Sequence, residues 1–162
     1  MTAQDLPDIN SLPYRPCVGI MLLNKRNQVF VAKRIDTRAE AWQMPQGGID
    51  EGETAEHAAM REMYEEIGTR NATIIATSTK NYHYDLPVDL VPNLWGGKFR
   101  GQTQQWFVLR FNGTDDDINI VTENPEFSEW KWVDMKQLPD LIVPFKRQLY
   151  QQLVEKFGYL AA

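Results

Sequence analysis

The chain has 162 residues, 43% of them hydrophobic, and a net charge of −5, which suits one domain with its own core. No apolar run approaches the roughly 20 residues that span a bilayer, and the acidic balance argues against a grip on duplex DNA, which needs a basic face. Cys17 is the only cysteine, which excludes an internal disulfide and disfavours a cysteine-based zinc site.

The first eight residues, Met1 to Asp8, have neither the basic start nor the apolar stretch of a secretory signal, so the cytoplasm is the expected location. Residues 1–13 are polar with two prolines and read as a flexible lead-in to a single domain over 14–162. Cys17 to Leu23 is rich in Val, Ile and Leu and predicts a buried strand. Asn24 to Asn27 is a turn. Gln28 to Lys33 predicts a strand covered on both faces, Val29 and Val31 facing away from Phe30 and Ala32. Trp42 to Pro45 predicts a short strand that ends at the glycines.

Thr54 to Ile67 is the clearest helix. Thr54 is its expected N-cap, Glu56 lies where the helix dipole favours an acid, and Gly68 stops it. Ala59, Met60, Met63 and Ile67 share one side. Residues 71–86 read as β-rich, Gln102 to Phe111 as a long strand and Glu129 to Val133 as another. Pro144 to Phe157 predicts an amphipathic helix with proline in its first turn. Trp42, Trp106, Trp130 and Trp132 read as sheet packing, and His83, Lys25 and Arg26 as solvated. This order predicts an α/β fold, a sandwich with helices covering a mixed sheet.

Glu62, Glu65 and Glu66 stand at i, i+3 and i+4, within an arc of roughly 100° away from the apolar side. Like charges so placed repel by about 0.2–0.5 kcal/mol per pair on an isolated helix. A divalent cation turns that repulsion into attraction. Magnesium takes oxygen ligands and keeps several waters, so a few carboxylates plus substrate phosphates suit it. The ordinary alternative is a solvated acidic face, and Asp115-Asp116-Asp117 reads as that.

What separates the two is the spacing around the helix. Gly47 is followed after five residues by Glu53, and after seven more by Arg61-Glu62-Met63-Tyr64-Glu65-Glu66-Ile67-Gly68. This resembles the signature of the Nudix hydrolases, G-x5-E-x7-R-E-U-x-E-E-x-G-U, with U a bulky apolar residue. The one departure is Thr69 at the last U. Tyr14-Arg15-Pro16, Trp42 to Gly48, Gln102 to Phe107, Pro125-Glu126-Phe127, Trp130 to Val133 and Phe145-Lys146 are similar to the bacterial RNA pyrophosphohydrolase and dinucleoside polyphosphate hydrolase subgroup. That subgroup often has lysine where Gln105 stands, so a phosphate-binding charge is expected to be missing there.

The resemblance implies an α/β/α sandwich, the Nudix fold. It also implies Mg²⁺ as cofactor, two or more ions, with Mn²⁺ able to substitute. By similarity the ions are held by Glu62, Glu65, Glu66, Glu126 and the Gly47 carbonyl, and glycine allows close approach. Glu126 is drawn in only by its Pro-Glu-Phe context. The general base is Glu62, Glu65 or Glu126. Arg61 and Glu53 are expected as supports, the arginine fork holding carboxylates in place. Arg15, Arg34, Tyr84, Phe145 and Lys146 are the expected substrate contacts, with Arg15 and Phe145 placed to clamp a base.

The implied activity is removal of pyrophosphate from the 5′-triphosphate end of RNA, a step in mRNA decay, and/or hydrolysis of dinucleoside polyphosphates. The implied partners are a nucleoside polyphosphate or an RNA 5′ end, with no duplex DNA and no membrane. The alternatives are a housecleaning hydrolase of modified or sugar-linked nucleotides and a non-catalytic nucleotide-binding module.

Overall fold

The structure, a computed structural model, describes residues 8–37 and 40–161. Seven strands build one mixed sheet: β1 (Tyr14–Leu23), β2 (Val29–Arg34), β3 (Gln46–Gly48), β4 (Ala72–Thr77), β5 (Tyr82–Asp85), β6 (Gly101–Phe111) and β7 (Phe127–Val133). The main path is β4-β6-β1-β2-β7, with β3 on β1 and β5 on β6. The long central pair β1 and β6 is parallel and the other pairs are antiparallel. Parallel neighbours need cover on both faces, and three helices give it: α1 (Ala55–Ile67), α2 (Leu138–Leu141) and α3 (Arg147–Phe157).

Strand alternation sorts the core into two layers. Val18, Ile20, Leu22, Phe107 and Leu109 face α1, where Ala58, Ala59, Met63 and Ile67 meet them. Met21, Leu23, Trp106 and Val108 face α3, where Leu149, Tyr150, Leu153 and Phe157 close the other layer. The expected α/β/α sandwich is therefore present. The two-sided reading of β2 holds as well: Val29 and Val31 enter one layer, Phe30 and Ala32 the other.

Thr54 caps α1 by accepting a bond from the His57 amide at 3.1 Å. Gly68 ends the helix in the left-handed region at φ 76°. A Cβ there would come 2.6 Å from the Asn119 carbonyl oxygen, so glycine lets the 119–126 loop dock on the helix end.

Two expectations are corrected. Trp42 to Pro45 is not a strand. It makes one isolated bridge, Ala32 to Gln43, and the strand is Gln46–Gly48, because it is the glycines that lie flat against β1. Asp115–Asp117 is solvated, as expected, and forms a 3-10 turn capped by Thr114. Asp115 accepts a bond from the Trp132 indole at 2.9 Å. Of the lead-in expected over 1–13, residues 1–7 lie outside the described residues. Residues Ile9–Ser11 form a 3-10 turn, with Ile9 and Leu12 packed on the core. Among the described residues no helix is long and apolar enough to cross a membrane.

Candidate active site

Arg61 organises the acidic helix. Its Nε and one terminal nitrogen each donate to Glu53 at 2.8 Å, a bidentate pair. That terminal nitrogen also donates to the Gly48 carbonyl at 2.9 Å, tying α1 to β3. The other donates to Glu62 at 2.8 Å and Glu65 at 3.1 Å. Glu53 in turn accepts from the Asp50 amide at 3.0 Å and meets the His57 ring at 2.8 Å. The Arg61 fork holds the Glu53 carboxyl far below the usual carboxylate range. Both residues thus sit as the expected supports.

Beyond this lock Glu62 and Glu66 are buried. Burial pushes Glu62 up to about 7, against the pull of Arg61. A Cβ at Gly47 would overlap the Glu62 carboxyl group, so only glycine lets β3 approach so closely. Glu66 is 2% exposed, and burial followed by the neighbouring Glu126 carboxyl raises its pKa well above the ordinary value. Its Oε2 is buried with no hydrogen-bond partner among the described residues. A buried, unanswered carboxylate oxygen beside another carboxylate is costly in isolation. Hard oxygen donors in this arrangement suit a divalent cation, which would supply the missing partner.

Among the described residues no three acidic, histidine or cysteine side chains already surround one point. The reason is local: Arg61 draws Glu62 and Glu65 toward itself.

Glu126 reaches α1 from the far edge of the sheet. β2 and β7 slip register at Lys33 and Arg34, and the Ile35 amide donates to the Glu126 carbonyl at 2.9 Å. The irregularity holds Arg34 and Glu126 at the same end of their strands, close enough for the Glu126 charge to reach the Arg34 guanidinium.

Two cavities flank these carboxylates, and Glu62 and Glu126 line both. One, of about 410 Å³, is acidic, with Glu65, Glu66 and Glu123 in its wall beside Tyr64 and Asn119. The other, of about 330 Å³, holds Gly47 and every expected substrate contact: Arg15, Arg34, Tyr84, Phe145 and Lys146. Lys146 is 7% exposed, and burial depresses its ammonium to about 8. It rests over the Tyr84 ring at 5.1 Å. Phe145 also packs on Tyr84, with centroids 5.9 Å apart.

Some residues in or behind this cavity escape a reading of the sequence. Trp95 carries the Arg15 guanidinium over its ring at 5.3 Å, so Arg15 is already stacked on a residue other than Phe145. Its one signal is an aromatic set before two glycines, Trp95-Gly96-Gly97. Asp36 grips Arg34 through two bonds of 2.8 and 2.7 Å. Gln102, Gln104 and Gln46 form a relay ending on the Trp106 indole. Gln105 is half-buried, paired with Val18, and is not among the residues lining the cationic cavity.

Comparison with known proteins gives the same picture. The NUDIX domain model matches residues 13–153. An RNA pyrophosphohydrolase of Rickettsia bellii is 59% identical over 150 residues, 93% of each chain. Another from Sphingopyxis alaskensis is 57% identical over 155 residues, 94% of this chain and 98% of the relative. Among solved structures, the E. coli dihydroneopterin triphosphate pyrophosphohydrolase superposes with a TM-score of 0.65 at 24% identity, over 89% of this chain and 99% of that one. A C. elegans Ap4A hydrolase complex gives 0.65 at 17%, over 89% and 98%, and these two likenesses speak to the fold alone. With its motif arginine and glutamates in place along one cleft, the chain belongs to the NUDIX domain family and is a Nudix hydrolase.

Proposed function

We propose that this enzyme removes pyrophosphate from the 5′-triphosphate end of RNA. The observation that carries the reading is that Glu62 and Glu126 belong to two cavities at once. A polyphosphate lying along the carboxylates therefore has its nucleoside end in the cavity of Arg15, Arg34, Tyr84, Phe145 and Lys146. The names of the relatives at 57–59% identity support the same substrate.

Glu62, Glu65, Glu66, Glu126 and the Gly47 carbonyl are the groups that would hold Mg²⁺, two or more ions, with Mn²⁺ as a substitute. Bound there, such ions neutralise the polyphosphate and make a water easier to deprotonate. The chain's own part is orientation and proton transfer. Arg61 fixes the angle of the carboxylates. Glu62, Glu65 or Glu126 accepts the water's proton. Arg15, Arg34 and Lys146 meet the phosphates, and Phe145 offers a base its ring face.

A second reading, hydrolysis of dinucleoside polyphosphates, is favoured by the acidic cavity. It lies beyond the carboxylates, with Tyr64 and Asn119 in its wall, and offers room for a second nucleoside. An Mg²⁺-dependent assay on triphosphate-ended RNA, diadenosine polyphosphates and mononucleotides in parallel tests both. Pyrophosphate release from RNA well above the others is expected. Preference for the diadenosine compounds would replace the first reading with the second. Single Glu→Gln variants at 62, 65 and 126, assayed at saturating Mg²⁺, identify the base as the one whose loss lowers kcat and removes the acid limb of its pH profile.

A further inference from the structure

The nucleotide cavity does not end at Phe145. It shares Tyr84 and Phe145 with a neighbouring cavity of about 340 Å³, which in turn shares Lys80, Tyr82 and Gln152 with a third of about 530 Å³. The second and third make a groove between β5 with its preceding turn and the outer face of α3, which adjoins the first at Tyr84 and Phe145. Gln148, Gln152 and Lys156 stand at i, i+4 and i+8 on that face, all exposed, so they make a row of roughly 12 Å along the helix. Across from them lie Lys80, Asn81 and His83, also exposed.

The chemistry of this groove suits a single strand of nucleic acid. Among the described residues neither Lys80 nor Lys156 is in an ion pair. Lys80 is held over the Tyr82 ring at 5.1 Å, which leaves its charge unneutralised. Of the two acids there, Asp85 is answered by Arg100 at 2.8 Å, and Glu155 lines the far cavity together with Lys80 and Lys156, one acid beside two cations. Two ring faces lie along the way, Phe145 at 36% exposure and His83 beside Tyr14 at 5.0 Å. Unpaired cations with stacking rings bind single strands without reading sequence, and side-chain amides add bonds to sugar and phosphate oxygens.

We infer that the RNA leaves the catalytic cleft over Phe145 and that its following nucleotides lie in this groove, their phosphates on Lys80 and Lys156. The inference rests on the RNA reading above. It makes the enzyme favour a strand over a free nucleotide by contacts distant from the chemistry.

The test compares a 5′-triphosphate dinucleotide with a 5′-triphosphate single-stranded octanucleotide, across a range of salt. The enzymes are the wild type, the Lys80→Gln/Lys156→Gln pair and the Lys80→Arg/Lys156→Arg pair. The octanucleotide is expected to have a KM several-fold below that of the dinucleotide in the wild type. The Gln pair loses that advantage and the Arg pair keeps it, with dinucleotide kinetics unchanged in both. In the Gln pair the salt slope of log KM for the octanucleotide falls by about 0.7 for each phosphate no longer held by a lysine. An equal KM for the two lengths in wild type, or an advantage surviving in the Gln pair, overturns the groove while leaving the RNA activity standing. No pyrophosphate from either RNA overturns the RNA reading, and the groove with it.

Discussion

On one side of the cleft, Glu62 and Glu65 are held by the single fork of Arg61, with Glu66 and Glu126 next to each other beyond them. On the other, Arg15 and Lys146 lie over aromatic rings and Arg34 is met by Asp36, the one carboxylate bonded to these three among the described residues. Both walls gather like charge, and they manage it differently. The acidic wall is held by charge-assisted bonds, and its deepest member, Glu66, keeps an oxygen without a partner. The cationic wall rests mainly on π faces, which attract a cation without neutralising it. Each wall leaves uncompensated the charge that a ligand of opposite sign would meet. In both, stability is given up for binding.

Breaking the acidic wall gives the largest effect. Glu66→Gln should lower pyrophosphate release by roughly a thousand-fold, the scale of several kcal/mol of charge stabilisation by a held ion. It should also raise the thermal midpoint in metal-free buffer, since an amide in that place carries no buried charge. A variant that is inactive and less stable would mean that Glu66 is structural. Arg61→Ala comes next. Removing one partner of a partly buried ionic network costs about 3–5 kcal/mol, to be read as a lower denaturant midpoint. If the midpoint stays, the wall does not depend on its lock.

The cationic wall should answer more mildly. Lys146→Met removes a charge-assisted bond of about 1.5–3 kcal/mol, so KM should rise roughly ten- to a hundred-fold with kcat little changed. Stability should move the other way. The Lys146 ammonium falls to about 8 in the fold against an ordinary 10.5. Between those values the unfolded chain holds more protons, so stability rises with pH. The penalty is fully present below about 8 and relieved as pH approaches 10.5. That rise should vanish in Lys146→Met; urea titrations at pH 7.5 and 10 would show it. A rise that persists assigns it to another group.

These walls are unequally legible in the sequence. Glu53, Arg61, Glu62, Glu65 and Glu66 stand on or beside one helix, where a period of 3.6 residues turns spacing into geometry. The apolar alternation of β1, β2 and β6 likewise announces the two-layered core. Glu126, Arg15 and Lys146 come from separate elements, and only the sheet and the β2–β7 slip bring them together. Nothing local marks them, so their expectation comes from family resemblance. Trp95 and Asp36 escape altogether, because their partners, Arg15 and Arg34, are met through a turn and a side-chain fork. The β3 strand is misplaced by a few residues because glycines carry no side-chain pattern.

The smallest effect sharpens the comparison most. Arg34 is the one cation of its wall already met by a carboxylate, and Asp36 holds both ends of its fork. This pair is partly exposed, so it is worth about 0.2–1 kcal/mol and its loss should hardly change stability. Asp36→Asn frees the fork for phosphate, and KM should fall by up to about five-fold with kcat unchanged. A rise in KM instead would show that Asp36 aims Arg34 at the substrate as Arg61 aims the glutamates. Both walls would then share one device, a paired charge that positions the group doing the binding.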